Sequence, residues 1–400
     1  MQELTSFQVN VIKNIDNQFI RSLYSKLPWN QRMLAIKGLR GAGKTTLLLQ
    51  YLKYGLNDPQ HSLYVTADHP WFYTHTLLEL ADEFYLNGGK HLFIDEVHKY
   101  KNWSQELKNI YDGYPDLKVV FTASSALDIY RSEADLSRRV LTYDLPGMSF
   151  REYLELVHKI KLPTISLEDL LQQHVEAAYT ILRTVDKPIP LFKQYLKNGY
   201  LPFTVVEREL DYLSKLYNVI NTTLSYDLAF IENYSASHVE KLKKLLGVLA
   251  ESAPFEPNIS AIARKLTLGR DTVNAFLQNL QTARMVNLLS KATHGVAALQ
   301  KPDKIYLENT NFSYALKPSP EAGTIRETFM FNQLRNAGHI VHQALKGDFL
   351  VDEKITFEIG GKGKSTAPQI RDTNNAYIAA DDIEAGALNR IPLWLFGFLY

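Results

Sequence analysis

Cysteine is missing from all 400 residues of this chain. Its absence excludes disulfides, thiolate catalysis and cysteine-based zinc sites, and it suits a reducing compartment without proving one. An excess of one charge sign is missing too: 44 Lys and Arg face 43 Asp and Glu, a formal net charge of +1. No global bias towards nucleic acid or membrane follows, so any basic surface has to be local. Long apolar runs are scarce. The longest, Ile391 to Tyr400, is too short to span a bilayer and reads as core filling. Met1-Gln2-Glu3-Leu4-Thr5 lacks the basic-then-apolar pattern of a secretory signal. There is no internal repeat, low-complexity tract or charged tail, and the 11 histidines show no metal-ligand spacing. The expectation is a cytoplasmic chain without a membrane partner, long enough for two or three domains with real cores.

What the chain does have begins at residues 38–46, Gly38-Leu39-Arg40-Gly41-Ala42-Gly43-Lys44-Thr45-Thr46. This is a full G-x-x-x-x-G-K-[ST] loop. An apolar run suited to a buried strand, Met33 to Lys37, precedes it, and a leucine-rich helical run, Thr45 to Tyr54, follows. Glycines let backbone wrap an anion, and the helix start adds free N–H groups. Lys44 is expected at the β- and γ-phosphates of ATP, and the Thr45 hydroxyl on Mg²⁺. His91-Leu92-Phe93-Ile94-Asp95-Glu96 then reads as a buried parallel strand ending in two carboxylates. Asp95 is placed to hold the metal shell, and Glu96 to orient and deprotonate the attacking water.

Strands and helices alternate from about Met33 to Leu145, which predicts a parallel sheet covered on both faces. Further strands are expected at Ser62–Thr66, Lys118–Thr122 and Arg139–Leu145, with helices over Tyr73–Leu86 and Trp103–Tyr111. Hydroxyls of Ser124 and Ser125, just past the fourth strand, are either a γ-phosphate sensor or an ordinary turn.

From these motifs onward the chain resembles the bacterial and archaeal AAA-type ATPases that carry a C-terminal restriction-endonuclease-like domain of unknown function. Leu136-Ser137-Arg138-Arg139-Val140 is similar to that family's leucine–small–glycine–arginine segment, with Arg138 where glycine is usual. Leu145-Pro146-Gly147-Met148-Ser149-Phe150-Arg151-Glu152-Tyr153 resembles its proline-serine-phenylalanine-arginine-glutamate signature. Phe192 to Pro202 matches a further glycine-tyrosine-proline segment. The resemblance covers nearly the whole chain and implies ATP chemistry. Arg139, which matches the family's arginine, is favoured over Arg138 as an arginine finger in this or a neighbouring subunit. The alternative is an exposed pair in surface salt bridges. Ser149 to about Asp186, ending near Pro188 and Pro190, resembles the helical lid of such ATPases.

Residues 238–290 read as three helices and a strand, with Lys304–Leu307 as the return strand: a winged helix-turn-helix pattern. Asp271 is expected to cap a third helix over Thr272–Arg284 whose outer side offers Arg270, Asn274, Gln278, Gln281 and Arg284. That composition permits double-stranded DNA contact but equally suits protein docking. In the last third, endonuclease-like domains place an aspartate, then a strand-borne glutamate–x–lysine, around a metal. Asp348 and Glu358 fit, but Gly360 stands at the lysine's position and Lys362 lies two residues further on. On a continuing strand Lys362 shares the face of Glu358; a bulge at the glycines re-aims it. A strand with scattered charges in a domain kept for recognition fits the same residues.

The expected fold is α/β: a P-loop AAA-type parallel sheet in 1–148, a helical lid or connector in 149–237, a winged helix-turn-helix in 238–316 and a C-terminal α/β endonuclease-like domain in 317–400. The expected function is Mg²⁺-dependent ATP hydrolysis coupled to DNA or to a protein partner, with homo-oligomers compatible. The alternatives are an ATP-controlled docking module and an ATP-gated, metal-dependent nuclease.

Overall fold

The computed structural model describes residues 1–124, 136, 138–232, 234–251, 254, 257–292, 302–364, 370, 373 and 375–400. They form two compact units, Met1–Pro146 and Gly147–Tyr400. Ser125 and Ser137 lie outside the described residues.

The first unit is built on a parallel sheet of strands β1 (Met33–Gly38), β2 (Ser62–Thr66), β3 (His91–Asp95), β4 (Lys118–Ser124) and β5 (Leu141–Leu145), in the order β2-β3-β4-β1-β5. Leu34, Ile36, Leu92, Ile94 and Phe121 are fully buried, as the near-continuous apolar runs of a two-sided parallel sheet require. β1 and β3 are thus not neighbours; β4 runs between them. The helix Leu77–Leu86 starts at a reciprocal Thr76–Glu79 capping box, and Tyr73 belongs to a preceding 3-10 turn, Pro70–Tyr73. At the sheet edge β2 is covered by the helix Gln2–Lys13. The Gln8 side chain accepts from the Tyr64 N–H at 2.5 Å, pairing backbone that would otherwise be open to another strand.

In the second unit, helices Phe150–His158, Leu167–Leu182, Pro188–Asn198 and Glu209–Thr222 come first. Pro188 opens a helix at its first position, where the missing N–H costs nothing. Helices Ala236–Glu251, Ile259–Leu266 and Arg270–Thr282 follow. An antiparallel pair, β6 (Val286–Leu289) and β7 (Lys304–Leu307), comes next. Asp271 does not cap the third helix: Gly269 holds that position, and Asp271 lies in the first turn. The helices Thr310–Leu316 and Ala322–Asn336 lead to a mixed sheet of β8 (Val341–Gln343), β9 (Phe349–Val351), β10 (Ile355–Gly360), β11 (Ala376–Ala380) and β12 (Arg390–Pro392). β8, β9 and β10 pair antiparallel, and β10, β11 and β12 parallel. The terminal apolar run is core: Leu393, Trp394, Leu395, Phe396 and Phe398 are buried. Among the described residues no helix is long and apolar enough to cross a membrane.

The two signature segments at Gly147–Tyr153 and Phe192–Pro202 meet in this second unit. Ser149 and Glu152 form a capping box, and the Met148 N–H donates to the Tyr200 carbonyl at 2.7 Å. A Cβ on Gly147 would lie 2.3 Å from the Tyr200 ring, so only glycine fits there. Asn311, absent from either signature, ties the second of them to the helix Glu209–Thr222. Its Oδ1 accepts from the Tyr200 N–H at 2.8 Å and the Tyr212 hydroxyl at 2.6 Å. Its Nδ2 donates to the carbonyls of Tyr195 (3.1 Å) and Leu196 (2.9 Å).

Candidate nucleotide site

The glycine loop turns at the carboxyl end of β1. Gly41 and Gly43 have φ of 83° and 97°, the left-handed region in which a side chain is strained. Gly38 serves differently: a Cβ there would meet the Leu145 carbonyl oxygen of β5 at 2.4 Å. The loop feeds the helix Lys44–Gln50, which continues as one wider turn through Gly55. Lys44 is only 4% exposed. Its ammonium donates to the carbonyls of Gly38 (3.0 Å) and Leu39 (3.2 Å) and lies 3.9 Å from Glu96 Oε1.

Asp95 ends β3 facing the same helix start. The Thr45 hydroxyl donates to its Oδ2 at 2.6 Å, and the Tyr64 hydroxyl to the same oxygen at 3.0 Å. Thr122 of β4 donates to the other oxygen, Oδ1. Burial first, then Asp95, pushes the Tyr64 phenol far above its ordinary range, so it stays a donor. Glu96 takes a left-handed backbone, φ 52°, and its N–H donates to Thr122 Oγ1 at 2.9 Å. One threonine hydroxyl therefore ties both acidic residues to β4. Beyond it the Ser124 N–H donates to His98 Nδ1 at 3.3 Å.

The loop, Lys44, Thr45, Asp95 and Glu96 are thus brought together. Arg139 is not among them. β5 starts beside Leu34 at the amino end of β1, whereas the loop leaves from its carboxyl end. Arg139 precedes β5 and forms a two-pronged pair with Asp112, both contacts 2.8 Å. Three residues at the site went unread in the sequence. Arg21, nearly buried, donates to the loop carbonyl of Ala42 at 2.5 Å and to the Pro146 carbonyl at 2.7 Å. Thr122 and His98 are the others. No motif spacing marks any of the three; only strand order brings Thr122 beside Asp95.

In the second unit the outer side of helix Arg270–Thr282 exposes Arg270, Asn274 and Gln278, with Gln281 half-buried. Arg284 leaves that set: it pairs with the buried Glu308 at 3.3 Å and reaches Asn336 at 3.1 Å. Exposed Arg264 and Lys265 stand on the preceding helix, and Arg264 and Arg270 line a cleft at the turn with Ser260, Thr267 and Gly269. In the mixed sheet the Asp348 carboxylate accepts from the Ile359 N–H at 2.7 Å, and Glu358 is buried on β10. Lys362 does not reach Glu358. β10 ends at Gly360, and the chain turns over Gly361–Lys364, closed by a 3.0 Å bond from the Lys364 N–H. The turn exposes Lys362 and returns Lys364, which ion-pairs with Glu358 and donates to the Ile359 carbonyl at 3.0 Å. The glycines at 360, 361 and 363 carried that turn signal. Among the described residues no three His, Asp or Glu side chains converge to hold a metal ion.

Comparison with known proteins agrees with the geometry of the first unit. Residues 30–154 match the model of an AAA domain. The matched stretch contains the loop, the acidic pair, Thr122 and His98, on the five-stranded parallel sheet. Residues 189–320 match a domain of unknown function, DUF8612. The uncharacterized protein MJ1637 of Methanocaldococcus jannaschii is 27% identical over 287 residues, 68% of this chain and 60% of that protein. The uncharacterized MJ1544 of the same organism is 22% identical over 349 residues, 83% of this chain and 73% of its own. The match thus spans well under two thirds of the first relative. Among solved structures, Aeropyrum pernix ORC1 in complex with DNA aligns with 79% of this chain and 92% of its own, at 12% identity and a TM-score of 0.30. AMPPCP-bound DnaA from Aquifex aeolicus aligns with 70% and 88%, at 14% identity and a TM-score of 0.26.

Proposed function

We propose that the AAA domain binds ATP with Mg²⁺ and hydrolyses it, and that the second unit couples this cycle to duplex DNA. The observation that carries the reading is the 2.6 Å contact between the Thr45 hydroxyl and the Asp95 carboxylate, with Lys44 and Glu96 3.9 Å apart beside it. A hydroxyl and a carboxylate are the hard oxygen donors Mg²⁺ takes when phosphates complete its shell, so the residues present fit the ion. Bound there, it would neutralise charge on the phosphates. The chain supplies the rest. Loop N–H groups and Lys44 hold the phosphates, Thr45 and Asp95 hold the ion, and Glu96 orients water and accepts its proton. For the second unit, Arg264 and Arg270 on the cleft and exposed Lys265 next to Arg264 in the chain favour an anionic partner over an apolar one.

The test is ATP turnover by the wild type and by Glu96→Gln, each with and without duplex DNA. Glu96→Gln is expected to lower turnover about 10²–10⁴-fold, and DNA to stimulate the wild type in a salt-sensitive manner. Equal turnover in the two proteins would remove the ATPase reading. Turnover indifferent to DNA would assign the second unit to a protein partner.

A further inference from the structure

Glu96 can act on water only if its carboxylate is aimed. The residue sits at the start of a single 3-10 turn, Val97–Lys99, which brings His98 back beside it. His98 Nε2 lies 3.4 Å from Glu96 Oε2, an electrostatic contact without hydrogen-bond geometry, while Lys44 approaches the other oxygen at 3.9 Å. The imidazole is 3% exposed, so water does not compete for it. Its Nδ1 accepts the Ser124 N–H at the end of β4. A ring nitrogen that accepts carries no proton; the proton of the neutral ring is therefore on Nε2, the atom facing Glu96.

We propose that His98 is a positioning residue for Glu96, fixed in its Nε2–H form by the Ser124 backbone and linking the end of β4 to the water-orienting carboxylate. This rests on the reading of Glu96 given above. The link has a direction. Thr122 holds the Glu96 backbone from the middle of β4, and Ser124, at the end of that strand, holds the His98 ring that stands 3.4 Å from the Glu96 side chain. A displacement of the end of β4 then turns the ring and mis-aims the carboxylate while the phosphate loop stays in place.

The test uses the full chain with ATP and Mg²⁺, and compares His98→Gln, His98→Leu and His98→Asn. Glutamine keeps both functions, a carbonyl oxygen for the Ser124 N–H and an amide N–H for Glu96. Leucine keeps the bulk and neither function; asparagine is polar but one carbon too short to serve both. His98→Leu and His98→Asn are expected to lower kcat about 10–100-fold, the usual cost of losing an orienting partner, with KM for ATP within about twofold. His98→Gln should stay within about threefold of wild type. Wild-type kcat in His98→Leu or His98→Asn overturns the proposal, as does an equal fall in kcat in all three variants. Glu96→Gln run alongside separates the two readings. If it turns over normally, the role of Glu96 fails and this inference with it. If it is inactive while His98→Leu is unimpaired, only the inference fails.

Discussion

The AAA domain and the second unit place their buried polar groups by opposite means. In the AAA domain the chemistry-bearing side chains come from two short runs, 38–46 and 95–96, each at the carboxyl end of a strand. In the second unit the central group is Asn311, whose partners Tyr200 and Tyr212 lie 111 and 99 residues earlier. A phosphate site must cluster glycines, a cation and a hydroxyl along a few residues, because backbone N–H groups have to converge on one anion. A structural amide has no such need. It takes its partners wherever the packed helices present them, so its spacing carries no information.

The comparison breaks most visibly at Asn311. Asn311→Leu leaves the Tyr200 N–H, the Tyr212 hydroxyl and two carbonyls without this partner in a dry interior. The expected cost is about 4 kcal/mol or more, read as a lower denaturant midpoint with faster amide exchange at Tyr200. Stability close to wild type would mean that the segment 192–202 is held against the helix Glu209–Thr222 by its aromatic packing rather than by the amide.

Glu327 sharpens it next. The Tyr306 hydroxyl donates to its carboxylate at 2.6 Å and Lys304 lies 3.8 Å away, yet burial, followed by repulsion from Asp348, raises the Glu327 carboxyl above its ordinary range. The folded state then binds the proton more tightly than the unfolded chain. That contribution is fully present below the unfolded value, near 4.5, and is lost as pH rises through the raised one. Glu327→Gln, neutral throughout, is expected to match wild type in acid and to exceed its denaturation midpoint near pH 7. A lower midpoint near pH 7 would show instead that Lys304 and Lys364 hold Glu327 ionised, the electrostatics of a ligand site rather than of a core.

What the sequence made legible follows the same division. β2 runs over the expected Ser62–Thr66, and β4 extends two residues past the expected Thr122, because buried parallel strands are continuous apolar runs. Thr122 itself looked like strand filling. It becomes the tie between Asp95 and Glu96 only because β4 inserts between β1 and β3, an order no local pattern encodes. Lys362 meets Glu358 only on a strand that continues past Gly360. The glycines end it, and a turn of four residues changes which lysine meets Glu358. Arg21 had no signal at all, since its two carbonyl partners lie 21 and 125 residues away.

Arg139 gives the smallest expected effect and the clearest difference between a motif and its geometry. Sequence similarity offers it as an arginine finger, but in its own subunit it stands at the amino end of the sheet. There its guanidinium bonds Asp112 and holds that carboxyl below its ordinary range. An exposed pair of this kind contributes little to stability. Arg139→Ala is therefore expected to leave both thermal stability and the turnover of dilute protein nearly unchanged, within about twofold of wild-type kcat. A loss on the order of 10³-fold, the scale of an arginine finger, would have to arise at the phosphates of another copy, because the strand separates Arg139 from its own loop. Turnover per molecule would then rise with protein concentration in the wild type and stay flat in Arg139→Ala, which distinguishes a finger acting in trans from a surface pair.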